Sequence, residues 1–291
     1  ADYRVAIADQ VEDAEAASGL VDRAVTNVVS PGTVIDGDLL DRASATYLAA
    51  LVEGDTDGAG GARDDAGSDD PPAALATLDV STGECRVTAG STGRIREELE
   101  RLAPAEVVVA PDVDLDASTL GFETMVTERD PAVFDLDAAE ATLSGYVAEP
   151  AAVLDAPAER RAVGGLLSYA EYTQGDDGAL PYVSRVQRYE LQRSLRLDAT
   201  AMRSLELFES RQPGGGGTLV GTVDRTVSAL GRRRLEAWLR RPLVDANRIG
   251  RRHDAVAELL DRPIAREAVR EHLANVYDLE RLAARIAQER A

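Results

Sequence analysis

The pattern of apolar and polar residues changes character near residue 193. Before it, short apolar runs bounded by turn residues predict strands at Tyr3–Ala8, Ala24–Val29, Tyr47–Val52, Ala74–Val80, Glu84–Thr88 and Val107–Ala110. Helical spacing places a short helix at Ala14, Ala17 and Leu20 and longer ones over Ile95–Leu102, Ala138–Tyr146 and Pro157–Tyr172. The last of these opens with a proline suited to a first helical turn. Asp79-Val80-Ser81-Thr82-Gly83 reads as a tight turn that joins two strands into a meander. Strands first, then helices and strands in alternation, predict a mixed sheet covered by helices.

From Leu195 onward only helical spacing remains. Asp198 predicts an N-cap for a helix in which Leu197, Ala201, Leu205 and Phe208 recur on one face. The Gly214–Gly217 run breaks the chain. Ser228 caps the next helix, with Leu235, Trp238 and Leu239 on a shared face, Arg232, Arg233 and Arg240 elsewhere, and Pro242 at its end. Asp245 caps a helix with Ile249, Val256 and Leu260 on one side, and Asp278 precedes another with Leu279, Leu282, Ala283 and Ile286. The expected fold class is therefore α/β plus all-α: a mixed sheet with helices, followed by a partial helical bundle.

Three regions follow. Residues 1–44 hold two strands and a short helix, too little surface to fold alone. Residues 45–192 form the α/β region, and residues 193–291 the helical one. Within the second, residues 54–72 are rich in Gly and Asp, so an acidic disordered loop is expected there; their acidic spacing matches no EF-hand. A start inside a strand and an end inside an uncapped helix suggest an internal piece of a longer protein.

Charge sharpens this division. The net charge is −20, and all 32 basic residues are Arg, with no Lys. An acidic surface with Arg in place of Lys suits strong salt, where the Debye length falls to roughly 3 Å and self-repulsion is screened. A halophilic archaeon is the expected source. Residues 193–291 carry 19 Arg against 14 acidic residues, net +5, while residues 1–192 carry 13 against 38, net −25. Such asymmetry marks either a nucleic-acid-facing half or a helical domain rich in intrahelical ion pairs, and the second is the expected one here.

Catalytic chemistry is sparse. Gly214–Gly217 is not followed by Lys-Ser or Lys-Thr, so no phosphate loop is present. Cys85, the single cysteine, lies in a strand-like run and reads as a packed thiol; one cysteine suits a reducing cytoplasm. No apolar run reaches the length of a membrane span, and Ala-Asp-Tyr-Arg-Val-Ala-Ile lacks the basic-then-apolar layout of a signal peptide. His253 falls on an apolar helix face and reads as a packing residue, and His272 has no partner at metal-ligand spacing. Asp79 with Glu84 would be the start of a carboxylate site holding Mg²⁺, which makes an autonomous nuclease a rival reading. The Arg232-Arg233-Arg234 cluster is expected to pair with acidic residues of neighbouring helices rather than with phosphates.

Several ordered motifs together resemble the MutS family of DNA mismatch-repair ATPases. They are Tyr3-Arg-Val-Ala-Ile-Ala-Asp-Gln-Val-Glu-Asp13, Val28-Val-Ser-Pro-Gly-Thr33, Tyr47-Leu-Ala-Ala-Leu51, Leu78-Asp-Val-Ser-Thr-Gly-Glu84 and Leu180-Pro-Tyr-Val183. The most specific stretch runs from Leu195 to Leu243 and includes Asp198, Leu205, Asp224, Thr226, Gly231, Leu235, Trp238, Leu239, Pro242 and Leu243 as scaffold residues. Three positions depart from the family pattern: Ala8 where Cys is common, Asp9 where Glu is common, and Asn27 where a basic residue is common.

The resemblance implies the end of mismatch-recognition domain I over 1–44. It implies an RNase H-like connector domain II over 45–192, and the first part of the core and lever domain III over 193–291. It implies no catalytic, cofactor or metal residues in this stretch. The mismatch-probing Phe-x-Glu motif, the clamp and the ATP- and Mg-binding domain would lie elsewhere in the parent. That parent would bind mismatched double-stranded DNA, signal to MutL, form a homodimer and work in the cytoplasm. Phe134, Ala141 and Thr142 sit where relatives present partner contacts. A paralogue serving recombination or other DNA structures, and an RNase H-like nuclease built on Asp79, are the alternatives.

Overall fold

The structure, a computed structural model, describes residues 3–10, 21, 23–33, 46–53, 72–111, 113–174, 178–183, 185–191, 195, 197–211 and 217–288. The expected helix at Ala14–Leu20, the acidic loop up to residue 71, and Gly214–Gly216 lie outside the described residues. The chain divides into two compact units: residues 1–40, 46–189 and 283–291 form the first, and residues 41–45 and 190–282 the second.

The first unit holds two sheets. Strands β1 (Val5–Gln10) and β2 (Arg23–Val29) pair as an antiparallel ribbon with an irregularity between Ile7 and Ala8. The larger sheet contains β3 (Tyr47–Glu53), β4 (Pro72–Asp79), β5 (Glu84–Ser91), β6 (Glu106–Val109), β7 (Met125–Glu128) and β8 (Arg185–Arg188). Their order is β7-β6-β3-β4-β5-β8. The β3-β4-β5 meander is antiparallel, whereas β6 runs parallel to β3, β7 to β6, and β8 to β5.

Helices α1 (Thr92–Leu102), α2 (Leu136–Leu143), α3 (Pro150–Val153) and α4 (Pro157–Gln174) belong to the same unit. The central strands are buried on both faces, which explains their unbroken apolar runs. Alternate residues Leu48, Ala50, Val52, Ala74, Ala76 and Leu78 share a core with Val163, Leu166, Leu167 and Ala170 of α4. On the opposite face Ala49, Leu51 and Leu75 are equally buried, as are Ile95 and Leu99 of α1.

Two close approaches set this architecture. At the β4–β5 turn, Thr82 and Gly83 donate backbone N–H groups to the Asp79 carbonyl. Gly83 has φ +72°, and a Cβ there would lie 1.9 Å from the Tyr182 carbonyl oxygen, so only glycine fits. Between α2 and α4, a Cβ on Gly164 would lie 2.4 Å from Ala139 Cα, and one on Gly165 2.3 Å from the Phe134 ring. Gly164 lets α2 sit directly on α4, and Gly165 makes room for the Phe134 ring just before α2.

Strand β4 begins at Pro72, a residue that the pattern places in the preceding loop. Strands β7 and β8 lie outside the strands that the apolar pattern predicts. Each has four residues at a sheet edge, and neither Met125-Val-Thr-Glu nor Arg185-Val-Gln-Arg presents an apolar run.

The second unit is helical: α5 (Ala199–Ser204), α6 (Leu219–Val223), α7 (Ala229–Arg240), α8 (Ala246–Asp261), α9 (Pro263–Ala274) and the first residues of α10 (Leu279–Gln288). Asp198 caps α5 as expected, accepting from the Ala201 N–H at 2.6 Å. The helix is shorter than its apolar spacing suggests. Glu206 adopts φ +49° and ends it, leaving Leu205 59% exposed while Met202 and Leu207 are buried. His253 is exposed as well, which corrects its expected packing role. The α8 face expected to pack leaves Val256 and Leu260 exposed.

Candidate functional site

The helical stretch around α7 is built from short polar turns. Asp224 Oδ1 accepts from the Thr226 N–H at 2.8 Å and from its hydroxyl at 2.7 Å, closing a turn that leads into α7. Asp224 Oδ2 accepts from Arg232 at 3.1 Å. The Thr226 hydrogen bonds, with burial opposing them and the Arg232 and Arg225 charges adding, hold the Asp224 carboxyl below the usual carboxylate range. The Ser228 hydroxyl caps α7 by accepting from the Gly231 N–H at 3.2 Å. A side chain at Gly231 would meet that hydroxyl at 3.2 Å and Thr226 Cβ at 3.4 Å, so the small residue lets the turn fold against the helix.

Of the arginine cluster, Arg233 makes the expected pair with a neighbouring helix, whereas Arg232 pairs with the preceding turn and its own helix. Arg232 joins Asp224 and Glu236. Arg233 forms a two-pronged pair with Asp278, at 2.5 and 2.9 Å, which ties α7 to the start of α10. For Asp278, burial opposes ionisation, yet the Arg233 hydrogen bonds and charge hold its carboxyl below the ordinary value.

Arg234 behaves differently. Its guanidinium lies 5.5 Å from the Trp238 ring centroid, and Arg252 of α8 lies 3.6 Å from the same ring. Burial lowers the Arg252 pKa, and the Arg248 and Arg234 charges lower it further. Trp238 is 39% exposed, so it joins two helices as a cation–π platform rather than as a core residue. Arg248 and Arg252 went unnoticed in the sequence, although their spacing of one helical turn places both on one face of α8. Leu235, Leu239, Pro242 and Leu243 are half-buried. The Pro242 carbonyl accepts from the Leu195 N–H at 2.7 Å, joining the two ends of the stretch.

In the α/β unit, the three partner-contact candidates separate. Phe134 is only 1% exposed; its ring fills the slot above Gly165, and its carbonyl accepts from Arg161. It is a core residue, not a surface contact. Ala141 is exposed on α2 and Thr142 half-buried there, its hydroxyl donating to the Ala138 carbonyl.

Asp79 and Glu84 form no joint site. Asp79 is buried and accepts from the Ser81 N–H and hydroxyl at 2.9 and 2.6 Å, whereas Glu84 pairs with Arg86. Among the described residues, no group of three or more His, Cys, Asp or Glu is placed to hold a metal ion. Cys85 is fully buried, and burial, followed by the Glu84 charge, pushes its thiol up to about 12. It is a packed thiol, not a nucleophile. Among the described residues, no helix is long and apolar enough to cross a membrane.

Comparison with known proteins fits this scaffold. Family models described as MutS domain I, MutS domain II and MutS domain III match residues 1–38, 46–184 and 200–291. The chain is 56% identical to the DNA mismatch repair protein MutS of Haloquadratum walsbyi, over all of this chain and 30% of that protein. It is 49% identical to DNA mismatch repair protein MutS 2 of Halobacterium salinarum, over all of this chain and 33% of that protein. To the DNA mismatch repair protein MutS of Symbiobacterium thermophilum it is 37% identical, over 98% of this chain and 32% of the relative. The chain therefore spans about a third of the length of these curated relatives.

Proposed function

We propose that this chain, which belongs to the MutS family, is the connector and lever part of a DNA mismatch-repair ATPase. The observation that carries this reading is the order of the three domain matches along one chain. In this reading residues 1–44 end the mismatch-recognition domain, residues 45–192 are the connector, and residues 193–291 begin the core and lever domain. The antiparallel β3-β4-β5 meander, extended beside β3 by parallel β6 and β7, supports an RNase H-like connector. The engagement of Asp79 by its own turn speaks against the nuclease alternative.

The work of such a part is mechanical. Polar turns, the two-pronged Arg233–Asp278 pair and the Arg232 ion pairs hold α7 in one orientation, so displacement at one end of the stretch is carried to the other. Mismatched DNA, ATP, Mg and a second subunit are engaged by the whole parent in the cytoplasm. MutL docks on the connector, with Ala141 and Thr142 of α2 as its contacts.

The test is the linkage between mismatched DNA and ATP in the whole parent protein. Asp224→Ala removes the turn that orients α7. The factor by which mismatched duplex changes ATP affinity should fall about fivefold or more, within the usual range of coupling free energies. Mismatch affinity without nucleotide should stay the same. An unchanged coupling factor would overturn the lever role.

A further inference from the structure

We infer that Glu106 is the joint that fastens the β1–β2 ribbon to the six-stranded sheet, so that a single buried carboxylate fixes how the domain I strands leave the connector. Glu106 opens β6 and is fully buried. One carboxylate oxygen, Oε2, accepts from the Ser30 hydroxyl and from the Gly32 N–H at 3.2 Å. The other, Oε1, accepts from the Thr127 hydroxyl at 2.6 Å and the Tyr169 hydroxyl at 2.7 Å. These donors come from three places: the turn after β2, strand β7 and helix α4. A buried carboxylate is retained only when its lone pairs are met by donors, and here both oxygens are met twice.

The turn itself is shaped for this contact. The Thr33 N–H donates to the Ser30 carbonyl at 3.0 Å, and the Ser30 N–H donates to the Thr33 hydroxyl at 3.0 Å. A Cβ on Gly32 would lie 2.7 Å from Glu106 Cβ and 2.9 Å from Leu48, so the backbone lies directly against the carboxyl arm. The start of the ribbon meets the same point. Arg4 donates to the Thr127 hydroxyl at 2.7 Å and lies 3.9 Å from Glu106 Oε1. Val5 pairs with Val29, so Arg4 and Ser30 lie at one end of the ribbon, and both are gathered at Glu106. Ile7 and Val25 are exposed along the rest of the ribbon; at the joint end Val28 is buried, although Val5 on the other strand is exposed. The ribbon is thus held at one end.

Residues 1–38 match MutS domain I and residues 46–184 match domain II. The joint therefore lies where two family domains meet, and its value for transmitting motion rests on the proposed function. Its existence does not, and the experiment reads the joint directly.

Hydrogen exchange of the 291-residue chain in molar KCl is followed for Glu106→Gln and for Ser30→Ala. Glu106→Gln keeps the shape but turns an NH₂ group towards donors. The amides of Gly32, Thr33 and β2 should exchange about tenfold faster or more, while those of Ala49, Ala76 and Val108 in the sheet keep their protection. Ser30→Ala should act in the same direction and less strongly, and it decides the matter if Glu106→Gln does not fold. Unchanged exchange in the ribbon would overturn the inference. Equal loss across ribbon and sheet in either folded variant would overturn it too, because Glu106 would then hold the sheet together rather than join two parts.

Discussion

Gly164→Ala sets two effects of known size against each other. In a helix interior, Ala is more favourable than Gly by about 1 kcal/mol. At this position in α4, however, the new Cβ would lie 2.4 Å from Ala139 Cα, 2.5 Å from its Cβ and 2.6 Å from its carbonyl oxygen. Those neighbours include backbone of α2 and cannot swing aside, so α2 must shift bodily. Overpacking of this kind costs about 1–3 kcal/mol, and backbone contacts belong at the upper end. The expected net result is a loss of about 1–2 kcal/mol.

Gly250 supplies the control. It lies within α8, and a Cβ there meets nothing within 4 Å, so Gly250→Ala should stabilise its helix by up to about 1 kcal/mol. Urea unfolding in molar KCl measures both variants. Circular dichroism follows the whole chain, and the fluorescence of Trp238, the single tryptophan, follows the helical unit. A Gly164→Ala protein as stable as the parent chain, or more so, would refute the close seating of α2 on α4. That seating matters for function because α2 presents Ala141 and Thr142, the proposed MutL contacts.

Alkaline pH should weaken the α/β unit. Burial, with the Glu106 charge adding to it, pushes Tyr169 up to about 12, and Cys85 is raised to about 12. The unfolded chain ionises these groups from about pH 8.5 for Cys and 10 for Tyr. Between those values and pH 12 the native state binds more protons than the unfolded one, so stability is complete below about pH 8.5 and falls as pH rises. Urea midpoints that stay flat from pH 8 to 11 would contradict this. Salt should act in the opposite sense: with a net charge of −20, the melting temperature should rise between low and molar KCl, and a flat profile would argue against halophily.

Local signals were legible in the sequence because their physics is local. Asp198, Ser228 and Asp245 each cap a helix through a side-chain oxygen that accepts from backbone N–H groups two or three residues on. The β3-β4-β5 meander was legible from its apolar runs and from the Asp79–Gly83 turn.

What escaped depends on distant residues. Phe134 lies where the resemblance implies a partner contact, yet Gly165, thirty-one positions later, opens the slot that buries it. Trp238 lies on the expected apolar face, but its partner is Arg252 on another helix rather than a core. Glu106 was invisible as a joint because Ser30 and Tyr169 reach it from 76 positions before and 63 after. The edge strands β7 and β8 owe their form to the sheet beside them, since their own residues carry no strand pattern.

In the proposed reading, this part of the protein transmits and does not read. Fluorescence anisotropy titrations of the 291-residue chain against a mismatched duplex and its matched twin, across a range of KCl concentrations, test it directly. The two affinities should agree within about twofold and weaken together as salt rises, as backbone contacts without base discrimination require. A preference for the mismatched duplex of about tenfold that persists in molar KCl would show that recognition resides in these residues and would overturn the lever reading.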